Sequence, residues 1–120
     1  MVGVLLVEDE PAIADVYALK LRLDGFSVTV AGDLPEADES FQRERPAVVC
    51  LDEWLPGGSG TELAGRFAAA GALVVLFTND QRIYERPPSG VCRTVLKART
   101  NPTKLSATVS ELLGLAPAAL

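Results

Sequence analysis

Short apolar runs alternate with amphipathic segments along most of this chain. The runs have the length and the β-branched content of strands, and the segments between them repeat apolar residues at three- and four-residue spacing, as helices do. The expected strands cover residues 3–7, 26–31, 47–51, 72–77 and 91–96.

Helical spacing is clearest in four segments. The first begins at Pro11, a residue suited to the first helical turn because its missing N–H needs no partner there, and it ends at Gly25. The recurrent apolar residues are Ile13, Val16, Leu19 and Leu23 in that segment, Leu34, Ala37 and Phe41 in 33–44, Leu63, Phe67 and Ala70 in 61–70, and Leu105, Val109 and Leu112 in 102–113. A further helix, the fourth in chain order, is expected near residues 80–86. It should be short and irregular because Pro87 and Pro88 interrupt it.

This alternation predicts an α/β fold, a doubly wound five-stranded parallel sheet with helices on both faces, because right-handed crossovers leave few other arrangements. The continuous apolar runs at 47–51 and 72–77 support it, since central parallel strands are covered on both sides.

Polar residues follow the expected strands at their carboxyl ends, where ligands of such sheets bind. Glu8 and Asp9 follow the first strand, Asp52 the third, Thr78 the fourth and Lys97 the fifth. If the strand order is 2-1-3-4-5, the first and third strands are neighbours, and the three acids share one crevice.

Clustered carboxylates repel one another and persist with a compensating cation. Oxygen ligands without Cys or His favour Mg²⁺ over zinc. With the Lys97 ammonium and the Thr78 hydroxyl, the cluster is suited to stabilising a phosphoryl group in transfer, with Asp52 as the nucleophile. Gly57 and Gly58 would let the next loop bend back towards the metal.

Four motifs in order, VLLVEDEP, VVCLDEWLPGGSG, FTN and VLK, resemble those of response-regulator receiver domains of two-component signalling, over residues 3 to 114. The resemblance implies a flavodoxin-like strand order 2-1-3-4-5 and a Mg²⁺ site. It implies a metal ligand at Asp9, a water-mediated one at Glu8, the phospho-acceptor at Asp52, a backbone carbonyl ligand at Trp54, the switch hydroxyl at Thr78 and the family's lysine at Lys97. It also implies a histidine kinase or phosphotransfer protein as donor, an unknown output protein as partner, and no enzymatic activity beyond the domain's own phosphorylation and dephosphorylation.

Four residues depart from the family pattern. Asn79 stands where a small residue is usual and is expected to narrow access to Asp52. Thr94 stands where the family has an aromatic residue. Ala98 replaces the proline that usually follows the lysine, so a cis peptide is not expected there. Glu53 replaces an apolar residue, and we expect its carboxylate to reach solvent or a basic partner such as an arginine. These departures leave open an alternative, a degenerate receiver that binds a protein partner without regulated phosphorylation.

Composition narrows the remaining choices. The 120 residues are expected to form one domain, with a core over 3–114 and a tail or linker start at 115–120. A net charge of −5 without a dense basic run argues against nucleic-acid binding through this domain. The lack of histidine excludes any mechanism in which this chain supplies an imidazole. No apolar run approaches the roughly 20 residues of a membrane span, and the early acids do not fit a signal peptide, so a cytoplasmic location and no membrane partner are expected. We expect a monomer or weak homodimer.

The two cysteines have no histidine or CxxC partner. Both Cys50 and Cys92 are expected to be small core residues. They are also expected to be free thiols, because Cys50 is on the third strand and Cys92 on the fifth, and the fourth strand lies between them.

Overall fold

The computed structural model describes residues 1–115, so the expected tail lies almost entirely outside the described residues. Five strands form one parallel sheet in the order β2-β1-β3-β4-β5, which confirms the predicted topology. The strands are β1 (Gly3–Val7), β2 (Ser27–Ala31), β3 (Val48–Asp52), β4 (Leu73–Thr78) and β5 (Arg93–Leu96).

Within residues 1–115, five helices cover the two faces of the sheet. They are α1 (Pro11–Leu23), α2 (Leu34–Glu44), α3 (Thr61–Ala69), α4 (Gln81–Glu85) and α5 (Pro102–Leu112), and a 3₁₀ turn (Lys97–Arg99) follows β5. Side chains of Asp33, Asp80 and Asn101 accept backbone N–H bonds at the starts of α2, α4 and α5, which satisfies donors that a helix cannot satisfy internally. The five-residue α4 confirms the predicted shortening before the two prolines.

Two apolar layers hold the helices against the sheet. On one side, α2 and α3 meet through stacked rings of Phe41 and Phe67, whose centroids lie 4.2 Å apart. On the other side, α1 and α5 pack through Ala18, Leu21 and Leu105. Every residue of β3 is buried, so the strand that ends in Asp52 is covered on both faces.

The apolar stripe that predicts α1 is not the side of the helix that packs. Val16, Leu19 and Leu23 are exposed, with Leu23 at 73%, whereas Ala14 and Ala18 face the sheet together with Leu21. Small alanines let the helix lie close to the strands. Because the larger side chains recur at the same helical spacing, periodicity alone did not distinguish the two sides.

Two smaller expectations are also corrected. Helix α3 ends at Ala69, and Ala70 is an exposed cap residue rather than a buried one. Cys50 is buried as expected, but Cys92 precedes β5 and is exposed; both are free thiols. Burial raises the pKa of the Cys50 thiol to about 12.

Candidate functional site

Three carboxylates lie together at the carboxyl edge of the sheet. Glu8 and Asp9 follow β1, and Asp52 is the last residue of its neighbour β3. One oxygen of each lies within 4.8 Å of the others. Glu8 and Asp52 are buried and Asp9 is exposed, so the cluster opens to solvent on the Asp9 side.

Lys97 supplies the positive charge of this cluster. Its Nζ lies 3.0 Å from Asp52 Oδ2 and 3.8 Å from Glu8 Oε2. Partial burial works to lower the pKa of Lys97, but the hydrogen bond and charge of Asp52, with the charges of Glu8 and Asp9, outweigh it and raise that pKa. The lysine therefore stays charged at neutral pH.

The pKa of Glu8 is higher than that of an ordinary surface glutamate. Burial, together with the neighbouring Asp52 carboxylate, raises the pKa of Glu8 to about 8, although the Glu10 N–H and Lys97 act against the rise. Three acids are thus more than one lysine balances, which favours a further cation at this cluster.

The donor set fits a hard divalent cation. Asp52 Oδ1 is buried and has no hydrogen-bond partner among the described residues, which is costly unless something else binds it. Carboxylate oxygens of Glu8, Asp9 and Asp52, without sulfur or imidazole, are the ligands that Mg²⁺ prefers.

The loop after β3 turns sharply beside the cluster. Trp54–Leu55 and Gly58–Ser59 pair as a small antiparallel hairpin, with Gly57 at φ 103° at its turn. Gly60 must be glycine for a different reason: a Cβ there would lie 2.5 Å from the Asp52 carbonyl oxygen. The Trp54 side chain is 71% exposed, and the role of its carbonyl as a metal ligand stays a prediction.

Glu53 contradicts the expectation made for it. Its side chain is only 7% exposed and has no basic partner among the described residues; instead, the Thr78 hydroxyl donates to its Oε2 at 2.6 Å. The reason is the strand register, because Asp52 lies beside Phe77 and the next residues, Glu53 and Thr78, therefore lie side by side. Thr78 also accepts the N–H of Asp80 at 2.9 Å. Sequence reasoning missed this pair, and the register of two predicted neighbouring strands was the signal for it.

Two other departures from the family pattern meet each other. Ala98, unlike a proline, has an N–H, and the Asn79 side-chain oxygen accepts it at 3.0 Å. No cis peptide is present among the described residues. At the position of the missing aromatic residue, the Thr94 hydroxyl donates to the Tyr84 carbonyl at 2.9 Å and so joins β5 to α4.

Two cavities flank Asp52. The larger, of about 210 Å³, lies towards α1 and is lined by Leu6, Glu8, Ile13, Tyr17, Asp52, Phe77 and Lys97. The smaller, of about 150 Å³, is lined by Asp52, Glu53, Trp54, Phe77, Thr78, Asn79 and Lys97. Asn79 therefore borders the second cavity, but its predicted effect on access to Asp52 stays a prediction.

Comparison with known proteins agrees with this geometry. A family model described as the response regulator receiver domain matches residues 4–87. The chain belongs to this family. Lys97 lies outside the matched residues, so its place in the site rests on the geometry rather than on that match.

Curated relatives extend the same conclusion. The chain is 43% identical over 76 residues to the sensory transduction protein RegX3 of Mycolicibacterium smegmatis, covering 63% of this chain and 33% of that protein. It is 31% identical over 116 residues to the transcriptional regulatory protein TrcR of Mycobacterium tuberculosis, covering 95% of this chain and 45% of that one. This receiver chain therefore spans less than half the length of these relatives.

Solved structures match over nearly the whole chain. The response regulator TrrA of Thermotoga maritima, in complex with Mg²⁺-BeF, has a TM-score of 0.81 and 29% identity, covering 93% of this chain and 99% of that one. A CheY-like receiver domain protein from Methanospirillum hungatei has a TM-score of 0.85 at 24% identity, covering 95% and 94%, and supports the fold.

Proposed function

We propose that this receiver domain accepts a phosphoryl group on Asp52 from a histidine kinase or phosphotransfer protein, with Mg²⁺ bound at Glu8, Asp9, Asp52 and the Trp54 carbonyl. The observation that carries the proposal is the convergence on Asp52. One of its carboxylate oxygens is held by Lys97 at 3.0 Å, the other is buried without a partner among the described residues, and two further acids lie within 4.8 Å.

In the transfer, a carboxylate oxygen of Asp52 forms a bond to phosphorus as the phosphorus–nitrogen bond of a phosphohistidine donor breaks. The imidazole leaves with the electron pair of that bond and takes a proton from solvent, and the product is an acyl phosphate. The buried β3 strand holds Asp52 in position, and the Lys97 ammonium stabilises the negative charge on the phosphoryl oxygens.

When bound, Mg²⁺ supplies positive charge to the phosphoryl oxygens and offsets the repulsion among the carboxylates. Asp9, as the exposed member of the cluster, is the ligand nearest to solvent. The Thr78 hydroxyl lines the same small cavity as Asp52, which supports its role as the group that responds to the phosphoryl group.

Phosphorylation would then alter a surface that an output protein binds. The family is not one of conventional enzymes, and we propose that its catalysis here is limited to phosphorylation and dephosphorylation of its own aspartate. No helix within residues 1–115 is long and apolar enough to cross a membrane. The alternative, a binding module without phosphorylation, is not favoured, because all the acids, the hydroxyl and the lysine that the chemistry needs lie around one carboxylate.

Intact-mass measurement tests the proposal. The protein is incubated with a small phosphodonor such as acetyl phosphate, with Mg²⁺ or with a chelator, alongside Asp52→Asn. We expect the mass of one added phosphoryl group in the wild type with Mg²⁺ only. A gain that persists in Asp52→Asn, or no gain at any donor concentration, would contradict the proposal.

A further inference from the structure

The Thr78 hydroxyl takes part in two hydrogen bonds, one as donor and one as acceptor. Threonine has a single hydroxyl proton, and that proton is donated to Glu53 Oε2 at 2.6 Å. The oxygen of the same hydroxyl accepts the N–H of Asp80 at 2.9 Å, so its orientation is fixed from both sides. A bond to a carboxylate is among the stronger hydrogen bonds in proteins.

A phosphoryl group on Asp52 would compete for that proton. Asp52, Glu53 and Thr78 line the same cavity of about 150 Å³, so the anionic oxygens of a phosphoryl group on Asp52 would share this cavity with the Glu53 carboxylate and the Thr78 hydroxyl. Thr78 can donate to one of them at a time. If it turns towards Asp52, Glu53 is left as a buried carboxylate without its donor, which is unfavourable.

We propose that Glu53 is a positioning residue that restrains Thr78 in the unmodified protein and opposes the turn of its hydroxyl towards modified Asp52. This inference rests on the proposed function and adds Glu53 to the residues that control it. The backbone of Glu53 is held by two hydrogen bonds. The Glu53 N–H donates to the Phe77 carbonyl at 3.0 Å, and its carbonyl accepts the Gly60 N–H at 2.6 Å, so the side chain starts from a rigid position.

Two variants separate the restraint from simple charge repulsion. Glu53→Met keeps the length of the side chain and removes both the acceptor and the charge. Glu53→Gln removes the charge and keeps an amide oxygen that accepts the Thr78 proton. If Glu53 acts by accepting the Thr78 proton, the affinity of Glu53→Gln for a phosphoryl analogue should be nearer to that of the wild type than to that of Glu53→Met. If Glu53 acts only by repelling the negative charge of that analogue, the two variants should have the same affinity.

The readout is binding of beryllium fluoride in the presence of Mg²⁺, followed by ¹⁹F NMR on the full chain. We expect Glu53→Met to be half-saturated at about tenfold lower concentration than the wild type, since the strong competing bond is absent. In a Thr78→Val background, Glu53→Met should bring no such gain. Before any addition, the Thr78 methyl resonance should shift in Glu53→Met and much less in Glu53→Gln, which checks the restraint without reference to binding.

The outcomes divide clearly. Equal gains in the Met and Gln variants, a gain that survives Thr78→Val, or an unmoved Thr78 methyl resonance in Glu53→Met would each overturn the role of Glu53 while leaving the proposed function intact. If neither the wild type nor any variant with Asp52 binds beryllium fluoride or gains a phosphoryl group, the proposed function fails and the inference fails with it.

Discussion

The attraction between Lys97 and Asp52 can be measured in the metal-free protein. Their charged atoms lie 3.0 Å apart, and an effective dielectric constant of about 20 gives roughly 5 kcal/mol for two unit charges at that distance. The Lys97 side chain is 40% exposed, however, so solvent screens much of this attraction. We expect a net coupling of about 2 kcal/mol, between the values typical of exposed and of buried pairs.

A double-mutant cycle gives that coupling. Wild type, Lys97→Met, Asp52→Asn and the double variant are unfolded in urea at pH 7 with a chelator. Lys97→Met should lower the free energy of unfolding by about 2 kcal/mol more when Asp52 is present than when Asn replaces it, because only the carboxylate attracts the ammonium strongly.

Lys104→Met is the matched control for this cycle. The Lys104 ammonium donates to the Arg99 carbonyl oxygen, at 3.3 Å, and forms no ion pair among the described residues. Its effect on stability should therefore be the same with Asp52 or with Asn at that position. A Lys97–Asp52 coupling no larger than this control, within the few tenths of a kcal/mol by which distant sites deviate from additivity, would refute the electrostatic account of the cluster.

Three further predictions concern the metal, pH and the loop. Asp9→Asn should raise metal-free stability slightly, because it removes one of the repelling carboxylates at an exposed position, yet abolish the rise in unfolding temperature that Mg²⁺ gives the wild type; a retained rise would remove Asp9 from the metal site. A hydrogen bond from Ser106 lowers the pKa of Asp24 against partial burial, so that the stability Asp24 provides is present above its unfolded pKa and lost as pH falls through its folded pKa. Asp24→Asn should thus cost about 1 kcal/mol at pH 7, and in urea titrations the difference should shrink as the pH falls through the lowered pKa of Asp24; a pH-independent difference would contradict this. Gly60→Ala should lower the free energy of unfolding by about 2 kcal/mol, because the added Cβ meets the Asp52 carbonyl oxygen. As a control, the Cβ of Gly65→Ala in α3 meets no atom closer than 3.9 Å, and this variant should be more stable by up to about 1 kcal/mol. Similar urea midpoints for the two variants would count against the close approach at Gly60.

Local patterns were sufficient for the sheet and for most of the site. The apolar runs predicted all five strands, and parallel strands bring their carboxyl ends to one edge, so Asp9, Asp52 and Lys97 could be expected to meet. The proposals of a bound metal and of phosphoryl transfer then followed from the kinds of atoms gathered there and from the family resemblance.

What the sequence left undetermined depends on contacts between segments. The side of α1 that packs depends on how closely alanines approach the sheet, which the spacing of larger residues such as Leu19 does not encode. The partner of Glu53 depends on strand register, and that of Asn79 on the turn after Lys97. In both cases a polar residue that departs from the family pattern has a partner contributed by a distant segment.

The most direct test of the central claim is to locate the phosphoryl group on the chain. After treatment with acetyl phosphate and Mg²⁺, borohydride reduces an aspartyl phosphate to homoserine, and peptide mass spectrometry identifies the converted residue. We predict homoserine at position 52 and unchanged aspartate or glutamate at positions 8, 9 and 53. Conversion at another acid, or none at Asp52 under conditions that modify a known receiver, would contradict the account.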